Sequence, residues 1–75
     1  MELFAQLRIS RLICQYPPGT RVSVFGVGNV PDGTIGTVEF VDELGFVFIE
    51  TPGVLPNLAL APADEHVRFR KEQLI

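Results

Sequence analysis

Cys14 and His66 are the one thiol and the one imidazole of this 75-residue chain. A thiolate nucleophile beside an imidazole base is therefore the first chemistry to weigh. Nothing in the spacing supplies an Asn or Asp to orient the ring. Cys14 falls on an apolar stripe of a helical pattern, and His66 opens a strand-like run, so both read as structural and no catalytic residue is expected. A single Cys, a single His and scattered carboxylates also lack metal-ligand spacing, so neither a metal nor a cofactor is expected. Gly26-x-Gly28-Asn29 offers backbone amides to an anion, but it lacks the Lys-Ser/Thr of a P-loop and no helix follows it. What remains for that loop is the grip of a small ligand. Asp32, Asp42, Glu43, Asp64 and Glu65 read as turn formers and solvated charges.

Charge bears on nucleic acid. Six basic residues against nine acidic ones leave a net charge of −3, the wrong sign for binding led by phosphate neutralisation. Arg21, Arg68 and Arg70 nonetheless occupy outward positions of the first and last strand-like runs, which are neighbours in a small barrel. They form the candidate anion or nucleic-acid patch. Phe40, Phe46, Phe48 and Phe69 fall on inward positions, as core rather than as a platform for stacking bases.

The elements that position these residues divide at Tyr16-Pro17-Pro18-Gly19. Residues 2–15 contain no Gly or Pro and place Ala5, Ile9, Leu12 and Ile13 on one side of a helix, with Leu3, Leu7 and Cys14 on another. Pro17 ends the helix, because its ring pushes the preceding residue out of the helical region. Beyond it, five short runs alternate with period two: residues 20–25, 37–42, 46–50, 57–61 and 66–70. Residues 26–36 hold Pro31-Asp32-Gly33 and read as a mobile surface loop. Asp42-Glu43-Leu44-Gly45 reads as a hairpin turn, and Pro62-Ala63-Asp64-Glu65 as one helical turn. The expected fold is mainly β, a small five-stranded SH3-like barrel (residues 16–75) with an N-terminal α-helix (residues 1–15), the two forming one structural unit.

Tyr16-Pro17-Pro18-Gly19-Thr20-Arg21-Val22, Gly33-Thr34-Ile35-Gly36-Thr37-Val38, Val41-Asp42-Glu43-Leu44-Gly45 and Leu58-Ala59-Leu60 come in an order that resembles a family of short bacterial and phage proteins of unknown function. Its members share a Pro-Pro-Gly-Thr-Arg-Val opening. The likeness spans roughly residues 16 to 69, and the family has no accepted catalytic residues to carry over. It implies an accessory protein of a phage or mobile element, including one that blocks a host factor or sequesters a ligand. Gly33-Thr34-Ile35-Gly36-Thr37-Val38 is also similar to the Gly-x-x-Gly-x-Val core of KOW segments, which implies a nucleic-acid-binding barrel. KOW loops tend to be basic, whereas Asp32, Glu39, Asp42 and Glu43 surround this one.

The apolar content is the most informative excess. A core of Val22, Val24, Val38, Phe40, Phe46, Phe48, Leu58, Leu60, Val67 and Phe69 fills a barrel of this size, yet Leu3, Phe4, Leu7, Val41, Val47, Ile49, Val54 and Leu55 remain, of which Leu3, Leu7, Val47, Ile49, Val54 and Leu55 are the interface candidates. Either the helix hides some of them, or they form a protein interface. The expected function is a noncatalytic interaction module whose partner is itself, most simply as a two-fold homodimer, or another protein. The alternatives are the KOW-like binder and a small-ligand or host-factor-blocking protein. Residues 1–8 have no secretory pattern and no apolar run approaches the ~20 residues of a membrane span, so a cytoplasmic protein without membrane partners is expected.

Overall fold

The computed structural model describes residues 2–72. Helix α1 (Leu3–Gln15) is followed by strands β1 (Arg21–Val24), β2 (Thr34–Val41), β3 (Val47–Thr51) and β4 (Val54–Leu60). A single 3-10 turn, Pro62–Asp64, leads to β5 (Phe69–Lys71). The strands form one antiparallel sheet in the order β4-β3-β2-β1-β5. This is the expected mainly β architecture with an N-terminal helix, consistent with a small SH3-like barrel whose sheet is not closed.

Helix α1 stops where Pro17 requires: the Tyr16 amide closes the last turn on the Leu12 carbonyl at 2.8 Å, and two prolines follow. Its inner side runs through half-buried Ala5 and Ile9 to Leu12 and Tyr16, which join Val22, Val24, Val38, Val47, Ile49, Leu60 and Phe69 in one core. The helix thus covers its own sheet. Ile13, expected on this side, lies at its margin and stays 47% exposed.

The hairpin between β2 and β3 forms as expected. The Asp42 carboxylate accepts the amides of Leu44 and Phe46 at 2.9 and 2.8 Å, while Gly45 takes the left-handed φ of 87°. A Cβ on Gly45 would lie 2.7 Å from Pro62 Cγ and 3.0 Å from Ile9 Cγ1. Helix, hairpin and 3-10 turn therefore converge on a residue that must lack a side chain.

Strand facing departs from expectation in the middle of the sheet. Val38 pairs with Ile49, but Phe40 pairs with Phe48, and Glu39 between them has no partner across the strand. This bulge turns Phe40 outward after Val38 has pointed inward. Ile49, opposite inward Val38, and Val47 two residues before it are fully buried, and Phe40 and Phe48 stack on the outer face with centroids 4.5 Å apart. Both faces of residues 46–50 are apolar, so alternation by itself assigns neither to the core. Val67 is a second correction. His66 adopts φ 67°, its amide bonds the Phe69 carbonyl at 2.8 Å, and β5 begins only at Phe69, leaving Val67 exposed on a turn.

The 25–33 connection lies at the surface but is tied down. The Gly26 amide bonds the Asp32 carboxylate at 2.9 Å, Gly33 bonds the Val24 carbonyl at 2.8 Å, and Val27 and Val30 pack against the core.

Candidate interaction surfaces

The outer side of α1 is apolar at its first two turns. Leu3, Phe4 and Leu7 are 66%, 80% and 56% exposed, and Cys14 continues the same stripe near the C-terminal end. Leu3, Leu7, Ser10 and Cys14 follow one another at steps of four, three and four residues along this side, with the polar Ser10 interrupting the apolar run. Leu3 and Leu7, two of the expected interface residues, are exposed on this side. Phe4, part of the same apolar excess though not among the interface candidates, is the most exposed of the three.

Val54 and Leu55 begin β4, a sheet edge. Leu55 is 92% exposed, and Val54 is half-buried. Together with Val27, Val30 and Leu58 they line an apolar groove of about 390 Å³ between β4 and the 25–33 loop. Val47 and Ile49, expected in the same interface, are core residues of the protein's own sheet and present no surface. The stacked Phe40 and Phe48 take their place on the outside, a feature the bulge concealed from sequence reasoning.

The three candidate arginines are at the surface, but two are paired with acids. Arg21 meets Glu72 at 2.8 Å, and Arg68 lies 3.5 Å from Asp64. Arg70 pairs with Ser23 across β1 and β5, and its guanidinium sits 4.4 Å above the Phe25 ring. A common face thus holds Arg21 and Arg70 at alternate strand positions. Arg68 is displaced onto the turn before β5, where it also reaches the Gly26 carbonyl at 3.3 Å.

A polar network joins α1 to the segment before β5. Arg11 forks onto Glu65, with Nη2 to Oε1 at 2.5 Å and Nη1 to Oε2 at 3.3 Å, and the Tyr16 hydroxyl donates to Glu65 Oε2 at 3.0 Å. The Arg11 hydrogen bonds hold the Glu65 carboxyl below the ordinary carboxylate range despite its burial, and the Tyr16 bond adds to this. Burial, reinforced by the hydrogen bond to Glu65, pushes the Tyr16 hydroxyl up to about 12. Glu65, expected as a solvated loop charge, instead has a side chain only 7% exposed.

Cys14 lies on the exposed outer stripe of α1, and it is not among the residues of the pocket that His66 lines. Among the described residues no group of three or more His, Cys, Asp or Glu side chains is placed to hold a metal ion, and no helix is long and apolar enough to cross a membrane. No family model, curated protein or solved structure matches this chain.

Proposed function

We propose that this protein is a noncatalytic interaction module that associates with a second copy of itself through the outer stripe of α1. The observation that carries the reading is a helix already docked through Ile9 and Leu12 that still exposes Leu3, Phe4 and Leu7 on its other side. A monomer has no use for such a stripe at the solvent, whereas a two-fold axis beside the helix presents each residue twice and buries it against its copy. The four-three-four spacing from Leu3 to Cys14 favours a second helix of the same pattern as the occupant. Val54 and Leu55 stay in the reading as a second apolar patch on the β4 edge.

The test is sedimentation velocity over a concentration series of the intact chain and of Leu7→Asp and Phe4→Asp. The wild type is expected to shift from monomer to dimer, and both variants to remain monomeric with unchanged far-ultraviolet dichroism. A wild-type monomer at every concentration, or dimers that persist in both variants, overturns the reading. The KOW-like alternative has less support, since Arg21 and Arg68 are engaged by Glu72 and Asp64. Oligonucleotide binding that collapses between low and moderate salt would favour it instead.

A further inference from the structure

We infer that the pocket along the outer edge of β5 binds the phosphate group of a small phosphate monoester, held by Arg70 and Lys71. This site is independent of the helix stripe and of self-association. The pocket encloses about 420 Å³ and is lined by Gln15, Tyr16, Glu65, His66, Arg70 and Lys71. β5 is the last strand of the sheet, and Arg70 and Lys71, at alternate positions on its two faces, both line the pocket beside its free edge.

The electrostatics select an anion. Arg70 lies over Phe25, and the Lys71 ammonium sits 5.3 Å from the centroid of the Tyr16 ring. Neither forms an ion pair among the described residues. The single carboxylate in the lining, Glu65, is already forked by Arg11 and capped by Tyr16. Its negative charge is therefore compensated from the helix side, leaving the two cations of β5 to set the field in the pocket.

The remaining donors suit a tetrahedral oxyanion. Gln15, which lines the pocket, accepts through Oε1 from Arg11 Nη1 at 2.7 Å, so the group it has left to offer a ligand is its amide nitrogen. His66 is the one described non-glycine residue at positive φ, 67°. His66 lines the pocket with its Nε2 3.6 Å from Glu65 Oε2. A planar guanidinium, a point ammonium and an amide can between them serve the three oxygens of a phosphate monoester.

The test is a two-dimensional nitrogen-15 amide titration of the intact chain with glycerol 3-phosphate, with glycerol and sodium chloride at matched ionic strength as controls. Saturable shifts at Gln15, Tyr16, Glu65, His66, Arg70 and Lys71 are expected. Arg70→Gln and Lys71→Met should each weaken binding about tenfold, with the remaining cross-peaks in place, and Arg21→Gln and Arg68→Gln should leave it unchanged. Inorganic phosphate moving the same residues supports the assignment and locates recognition in the phosphate itself. Shifts no larger than those from matched sodium chloride overturn it. So does affinity unaffected by both pocket variants, or phosphate-driven shifts centred on Arg21 and Arg68, which would mark a nucleic-acid face instead.

Discussion

The Arg11 guanidinium and the Glu65 carboxylate, 54 residues apart in the chain, form a two-pronged ion pair that fastens α1 to the turn before β5. Because the Tyr16 hydroxyl shares the same carboxylate, the end of the helix and the end of the sheet are locked by one acid. Replacing Glu65 with Ala leaves the phenol of Tyr16, a residue only 2% exposed, without its acceptor. A loss of about 1–3 kcal/mol is expected in chemical denaturation. Glu65→Gln, which retains an acceptor for Tyr16, should lose less.

The same network makes stability depend on pH at both ends of the scale. Glu65 is more acidic folded than unfolded, so its contribution is full above the unfolded value of 4.5 and is lost as pH falls through the lower folded value. Tyr16 is less acidic folded than unfolded, so its contribution is full below 10.0 and is lost as pH rises through about 12. Thermal melts should therefore decline in both windows. Tyr16 is the single tyrosine and there is no tryptophan, so ultraviolet titration of the phenol checks the alkaline limb directly. Glu65→Gln should flatten the acid limb.

Gly45→Ala places a Cβ 2.7 Å from Pro62 and 3.0 Å from Ile9 at a left-handed φ of 87°. A destabilisation of about 1–3 kcal/mol is expected, from backbone strain and overpacking together. Hydrogen exchange should show the amides of α1 losing protection before those of β2 and β3. Uniform loss over helix and sheet would show that the contact does not hold the helix separately.

Ile49→Asp and Leu7→Asp introduce the same charge at two apolar residues and should behave oppositely. Ile49 is fully buried, and an unpaired carboxylate there should prevent stable folding. Leu7 is 56% exposed, and its variant should unfold within about 0.5 kcal/mol of wild type when both are diluted to monomers. Comparable stability of the two variants would place Ile49 at the surface.

The outward stack of Phe40 on Phe48, with rings 12° from parallel, should contribute about 0.5–1.5 kcal/mol beyond simple burial. A double-mutant cycle with Phe40→Ala and Phe48→Ala measures that coupling. A coupling near zero would mean that the rings share a face without interacting.

Local chemistry settled the elements. Residues 2–15 lack helix breakers, Pro17 terminates, Asp42 and Gly45 suit a hairpin, and the period of two marks strands; each is a short-range steric or hydrogen-bonding preference written in neighbouring residues. The inward direction of Ile9 and Leu12 was likewise available from the helical wheel. Tertiary structure decided what these preferences leave equal. Residues 46–49 are apolar on both faces; the register that pairs Ile49 with inward Val38 put Val47 and Ile49 in the core, and the bulge at Glu39 turned Phe40 outward beside Phe48. Pairing across 54 residues turned Glu65 from a loop charge into a buried anchor. The open edge of β5 brought Arg70 and Lys71, from opposite faces of a strand, to one pocket with His66. Register, long-range ion pairs and sheet edges depend on contacts between distant segments, so only the folded chain could choose among them.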